Sequence, residues 1–250
     1  NHLRLVAWET TRRCNLKCVH CRALAQDCAD PNELSTAQAK QLLDEVALMG
    51  KAIVSITGGE PLLREDIFEL AQYGTALGLR IVMAPNGTLL TEEIAAKLKD
   101  SGIMRVSISL DSATGAKHDA FRGVPGAFER TLQGIAAAKQ AGLPFQINST
   151  ITKHNFDEIE DLYHLALELS AAAFHVFLLV QVGRGKDLAD DAITADDYEA
   201  ALNLVYDLQR KSPIEIKPTC APQYYRILRQ RAKADGLTMD FATFGPAAMT

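Results

Sequence analysis

The chain has 250 residues, 48% hydrophobic and 23% charged, which suits one large α/β domain with a full core and excludes a disordered polymer. Its net charge of −5 is spread along the sequence with no basic block, which argues against nucleic acid as a partner. No apolar run approaches the roughly 20 residues that span a bilayer, so no membrane partner is expected either.

Residues 3–11 read as a β-rich strand that feeds directly into Cys14-Asn15-Leu16-Lys17-Cys18-Val19-His20-Cys21. No signal peptide precedes that strand, and five cysteines with three clustered suit a reducing compartment, so a cytoplasmic location is expected. Asn1 is not an initiator methionine, which predicts that residues precede it. Ser35-Thr36-Ala37-Gln38 has the form of a capping box and opens a helix to about residue 49. The strand at 51–57 stops at Gly58-Gly59, and the helix at 65–77 is closed by Gly78.

The same unit then recurs. The strand at 80–84 ends at Pro85-Asn86-Gly87, and Thr91 caps a helix that stops at Gly102. The strand at 104–110 ends at Asp111, and a helix follows from about 126 to 141. Strands at 145–151 and 174–180 flank a helix opened by Asn155-Phe156-Asp157-Glu158. Thr194 caps a helix over 195–211, a short strand covers 214–217, and a last helix lies around 224–234. Apolar strands alternating with helices predict a parallel sheet under helical cover, as in a (β/α) barrel or a doubly wound sheet. The unusual residues gather after the strands, which in barrels is the face where active sites form.

Three thiols spaced C-x3-C-x2-C on one loop can converge on one inorganic centre, because soft sulfur suits zinc and iron–sulfur clusters. A closed structural site normally has a fourth ligand, so a zinc knob completed by His20 or Cys28 and a disulfide with thiols left over both remain open at this point. Three thiolates alone would leave one metal corner free for chemistry. Gly58-Gly59-Glu60-Pro61 follows the second strand; glycines permit close backbone approach and a carboxylate can bind an ammonium group. Asn86, Asp111 and Asn148 stand at or near strand ends, where a carboxylate suits ribose hydroxyls, and Ser109 shares a strand face with Asp111. Arg122 is placed in a loop, within reach of a carboxylate.

C-x3-C-x2-C after strand one, GGEP after strand two, PNG after strand three and SISLD on strand four together resemble the radical S-adenosylmethionine (SAM) enzymes. The resemblance implies an α/β fold, a partial (β/α)6 TIM-like barrel with parallel strands. Residues 1–212 would form that barrel and 213–250 the start of a C-terminal extension. It implies one [4Fe–4S] cluster held by Cys14, Cys18 and Cys21, with SAM chelating the open iron site. Gly58, Gly59 and Glu60 would hold the SAM amino group; Ser109, Asp111 and Arg122 the ribose and carboxylate, with Asn86 and Asn148 further cofactor contacts. An electron donor such as ferredoxin or flavodoxin would reduce the cluster, yielding a 5′-deoxyadenosyl radical.

The runs at 118–129 and 219–226 look like the tetrapyrrole-modifying branch of this family, and the opening at 3–23 most like its coproheme-decarboxylating members. That implies an iron-porphyrin substrate, iron-coproporphyrin III, with two propionates converted to vinyl groups. Didecarboxysiroheme deacetylation, heme d1 synthesis and peptide maturation are the alternatives, and a cluster-binding scaffold without catalysis is a further one. Arg184, Lys186, Arg226 and Arg229 are candidate partners for propionates, and His175 for substrate or its iron. His20 either tunes the cluster or faces solvent, and one of Tyr224 and Tyr225 is expected to pack inward. Cys220 is a candidate ligand of an auxiliary [4Fe–4S] cluster whose other cysteines would lie in an extension past Thr250; the abrupt end at Met249-Thr250 suggests truncation. Cys28 is expected to be a free thiol.

Overall fold

The computed structural model describes residues 3–236, so Met249-Thr250 and the rest of the tail lie outside the described residues. Strands β1 (Leu5–Glu9), β2 (Ile53–Thr57), β3 (Arg80–Met83), β4 (Val106–Ser109), β5 (Phe145–Ile151), β6 (Ala173–Leu178) and β7 (Glu215–Thr219) form one seven-stranded sheet in sequential order. All pairings are parallel. With β1 and β7 at its edges, the sheet curls into a partial TIM-like barrel, as expected. The short strand expected at 214–217, placed outside the six-stranded barrel, joins the same sheet as β7. β7 pairs with β6 from Ala173↔Glu215 to Phe177↔Thr219, so the sheet continues past residue 212 without a break.

Helices α1 (Thr36–Leu48), α2 (Ile67–Ala76), α3 (Glu92–Asp100), α4 (Gly115–Arg122), α5 (Ala127–Gln140), α6 (Ile159–Glu168), α7 (Ala195–Lys211) and α8 (Tyr224–Ala234) cover the strands. Three helices start where the capping residues put them. Ser35 and Gln38 form a reciprocal capping box, while the Thr91 and Thr194 hydroxyls accept from Ile94 N and Asp197 N. One element departs from expectation: Arg122 is the last residue of α4 rather than a loop residue. The polar sequence GAKHDAFR has no apolar stripe to announce a helix; what closes it is Gly123, left-handed at φ 69°.

The strands are not uniformly apolar either. Val54, Ile56, Ile81, Met83, Val106, Ile108 and Ile147 are fully buried under the helices. The alternate positions, among them Ser55, Ser107, Asn148 and His175, line a cavity of about 830 Å³ in the barrel. An inward face left polar and partly empty explains the period-two pattern in VSIS and FQINSTI. No helix among the described residues is long and apolar enough to cross a membrane.

Candidate functional site

The cysteine loop has almost no secondary structure of its own and is shaped by what grips it. At its neck, Arg13 bridges Gln26, and the Glu33 carboxylate accepts from Thr11 Oγ1 (2.7 Å), Arg12 N (2.9 Å) and Asp30 N (3.0 Å). Along one side, Lys17 N and Val19 N donate to the carbonyls of Arg122 (3.1 Å) and Phe121 (3.0 Å) at the end of α4. Along another, Arg184 N donates to Cys21 O at 3.0 Å, and the Arg184 side chain donates to Cys18 O (2.8 Å) and Ala25 O (2.9 Å). Arg184 Nε and Nη1 therefore brace the loop, while its Nη2 is buried without a hydrogen-bond partner in a side chain that lines the cavity.

Glycines make each grip close. A Cβ on Gly59 would stand 2.3 Å from Arg13 O, one on Gly123 2.5 Å from Lys17 O, and one on Gly183 2.4 Å from Cys21 O. Gly58 and Gly59 thus serve first to let the β2 loop reach residues 11–13, through Gly59 N to Thr11 O (2.7 Å) and Glu60 N to Arg13 O (2.8 Å). Gly123 and Gly183 had no functional reading in the sequence. Gly183 stood after a strand end, which was the only signal available for it.

The cavity brings together most of the expected site residues. Cys14, Cys18 and Cys21 line it, as do Gly58, Gly59 and Asn86, and so do Ser109, Arg122 and Asn148. Three others stand elsewhere. Glu60 and Asp111 are fully buried behind the wall, and Cys220 is exposed just past β7, left-handed at φ 59°. Asp111 forms an ion pair with Arg122 and accepts from Thr150 N at 2.8 Å. Its reach is to the arginine, not to the cavity. Arg122 Nη1 in turn lies 3.7 Å from Cys18 Sγ, and its Nε is buried with no hydrogen-bond partner.

Glu60 accepts from Asn86 N (2.7 Å) and Leu62 N (3.1 Å), while the Asn86 amide donates to Asn15 Oδ1 (2.8 Å) and accepts from Thr88 N (2.9 Å). The GGEP and PNG turns are thereby tied to the cysteine loop through Asn15. Burial pushes the Glu60 carboxyl up to about 7 against those two amide donors. A carboxyl whose folded pKa exceeds its unfolded value holds its proton more tightly in the folded chain. Apoprotein stability should therefore be fullest below pH 4.5 and fall by roughly 3 kcal/mol as pH rises to 7. Urea denaturation across that window should show a shallower pH slope for Glu60→Gln than for the wild type; parallel slopes would disprove the assignment.

Elsewhere the expectations divide. His20 stacks on Phe121 with ring centroids 4.2 Å apart, so it packs rather than facing solvent. Arg226 is ion-paired with Glu199 on the surface and is not free for a propionate. Tyr224 packs inward, its hydroxyl donating to Gln209 Oε1 at 2.5 Å, and Cys28 is an exposed free thiol.

The family model for the radical SAM superfamily matches residues 8–166, from β1 to α6. This chain is a radical SAM protein. It is 51% identical over 250 residues to an AdoMet-dependent heme synthase of Methanosarcina barkeri, covering 100% of this chain and 71% of that one. It is 38% identical over 207 residues to an Fe-coproporphyrin III synthase of the same organism, covering 83% of this chain and 52% of that one. Across three relatives named AdoMet-dependent heme synthase, this chain spans 64% to 71% of the relative's length. The crystal structure of Streptococcus suis SuiB bound to precursor peptide SuiA superposes with a TM-score of 0.76 at 22% identity, over 91% of this chain and 51% of that one. That likeness carries the fold.

The radical SAM family implies a [4Fe–4S] cluster and SAM, and the cavity fits them. Three thiols share one wall of a space of about 830 Å³, beside a buried Arg122 Nε that lacks a partner. In the apoprotein burial pushes the Cys14 thiol up to about 11, so ligation must release its proton.

Proposed function

We propose that this radical SAM protein oxidatively decarboxylates two propionates of iron-coproporphyrin III to vinyl groups, giving protoheme. The observation that carries the reading is the whole-chain 51% identity to the Methanosarcina heme synthase, against 38% over a shorter span to the Fe-coproporphyrin III synthase of that organism. When bound, the cluster and SAM together supply a 5′-deoxyadenosyl radical able to take a hydrogen atom from an unactivated carbon. This chain's residues hold and orient. Cys14, Cys18 and Cys21 ligate three irons; Gly58 and Gly59 present backbone to the SAM amino group; Ser109 and Asn148 face its ribose, and Arg122 its carboxylate. Glu60 and Asp111 act from behind the wall, Glu60 by fixing Asn86 and Asp111 by fixing Arg122.

Each propionate loses carbon dioxide, one hydrogen atom and one electron, so a one-electron acceptor completes the reaction. A small electron-transfer protein such as ferredoxin or flavodoxin is the proposed donor, in the cytoplasm, where thiols stay reduced. Cys220, exposed at the end of β7, is the proposed ligand of an auxiliary [4Fe–4S] cluster in an extension that follows the barrel sheet. Anaerobic incubation with SAM, reductant and iron-coproporphyrin III should give products lighter by one and then two formic acid equivalents. Loss of two acetic acid equivalents from didecarboxysiroheme instead would move the assignment to the deacetylase.

A further inference from the structure

The cavity is cationic in a chain whose net charge is −5. Arg22, Arg80, Arg105, Arg122 and Arg184 line it, and among the described residues no Asp or Glu does. Three of these arginines meet acids that stand outside the lining. Arg22 is paired with Glu9 and Arg122 with Asp111, while Arg105 lies 4.0 Å from Glu215. Arg184 has no such acid among the described residues; its side chain donates to main-chain carbonyls instead.

Arg184 is placed by three bonds to one loop. Its N donates to Cys21 O at 3.0 Å, its Nε to Cys18 O at 2.8 Å and its Nη1 to Ala25 O at 2.9 Å. Gly183 beside it permits this approach, since a Cβ there would stand 2.4 Å from Cys21 O. The guanidinium therefore spans a segment that holds Cys18 and Cys21. Such a group is a rigid planar fork of N–H donors with no acceptor. Nη2 takes no part in the bracing and is buried with no hydrogen-bond partner. A buried cationic donor left unpaired is costly, and an incoming anion relieves that cost. Two more unpartnered buried nitrogens, Arg122 Nε and His20 Nδ1, belong to side chains that line the same cavity. Ala7, Val82 and Ala84 line it as well, and all three are small and apolar. An acidic ligand with a flat apolar body matches such a lining.

We propose that Arg184 is two-sided: Nη2 grips a carboxylate arm of the substrate while Nε and Nη1 hold Cys18 O and Ala25 O, so that substrate binding tightens the cysteine loop. The inference rests on the tetrapyrrole reading, in which the arm is a propionate. By linkage, the braced loop favours the carboxylate, and the bound carboxylate in turn makes cluster iron harder to withdraw. Lysine cannot serve both sides, because its ammonium is a point charge on a flexible stem and not a fork. Toward the cluster Arg184 acts through the loop, as a positioning residue.

The test uses the full-length, cluster-reconstituted protein with iron-coproporphyrin III, which has free carboxylates, and with its tetramethyl ester, which has none. Visible absorbance reads equilibrium binding, and the rate of iron transfer to bathophenanthroline under anaerobic conditions reads the hold on the cluster. In the wild type the acid should slow iron loss several-fold and the ester should not. Arg184→Lys should bind the acid about tenfold more weakly, bind the ester as before, and lose the slowing even at saturating acid. Arg80→Gln, at the opposite end of the lumen on the first residue of β3, should keep the slowing. Equal iron loss with acid and with ester in the wild type overturns the inference, and that comparison needs no variant to load its cluster. An Arg184→Lys protein that keeps either the acid affinity or the slowing, or that loses acid and ester equally, overturns it too. Loss of the slowing in Arg80→Gln would trace the effect to overall charge and overturn the assignment to Arg184. A wild-type protein that binds neither porphyrin overturns the tetrapyrrole reading itself, and the inference with it.

Discussion

Gly59→Ala is expected to give a folded chain that loads less than about a tenth of the wild-type iron and sulfide, because its lesion falls on the cluster loop alone. The added methyl would stand 2.3 Å from Arg13 O, 2.7 Å from Arg12 O and 2.8 Å from Arg13 C. All three are main-chain atoms, so no side chain can swing aside. Either the β2 loop or residues 12–13 must move, and Cys14 follows immediately. The hydrogen bonds from Gly59 N and Glu60 N to the carbonyls of Thr11 and Arg13 are lost with that shift. Overpacking of this kind costs roughly 1–3 kcal/mol, too little to unfold a domain of this size but enough to spread three thiols beyond one cluster. Gly78→Ala is the control. Gly78 is left-handed at φ 78° with nothing within 4 Å of its added methyl, so the change costs only about 1 kcal/mol of backbone strain and should leave iron loading intact. Equal iron content in the two variants would show that the close approach at Gly59 does not set the loop.

Apart from α4, the alternation of strands and helices was legible from the first residues to α8, because capping residues and post-helical glycines mark element ends locally. So was the convergence of C-x3-C-x2-C, Gly58-Gly59, Asn86 and Ser109 on one cavity, since a parallel barrel gathers its strand ends at one face. What was not legible is which side chains face that cavity and which stand behind it. Glu60 and Asp111 carry the same charge as a ligand-binding carboxylate would, and only the folded backbone shows Glu60 spent on Asn86 N and Asp111 on Arg122. Arg184 hid a second role for a similar reason: its sequence context is a strand end, but its guanidinium also reaches back 166 residues to Cys18 O. The polar inner face of the barrel left its trace in the sequence as well. The alternation in FQINSTI and AFHVFL is the signature of a lumen kept open, although each run also reads as an ordinary apolar strand.

Asp111→Asn is expected to cost roughly 3–5 kcal/mol of stability, the larger of the two folding effects argued here, because it strands a buried guanidinium. Asp111 is wholly buried and the Arg122 side chain is only 8% exposed, so water cannot replace the lost carboxylate. Burial opposes the charge on Arg122, and Asp111 followed by Cys18 outweighs that opposition. With Asp111 neutral, the thiol side of Cys18, 3.7 Å from Nη1, is the remaining counterweight. The asparagine also keeps one oxygen for Thr150 N and turns its amide toward a cation, which adds repulsion to the loss. Replacing both partners, Asp111→Leu with Arg122→Met, should cost less than Asp111→Asn alone, since it removes the stranded charge along with its partner. The double variant nonetheless lacks the guanidinium proposed to face the SAM carboxylate, so its SAM affinity should fall at least as far as that of the single variant. Urea denaturation of the apoproteins and SAM binding to the reconstituted ones separate the two effects. A double variant less stable than Asp111→Asn would mean that the pair is held for its packing and not because one charge cannot be buried without the other.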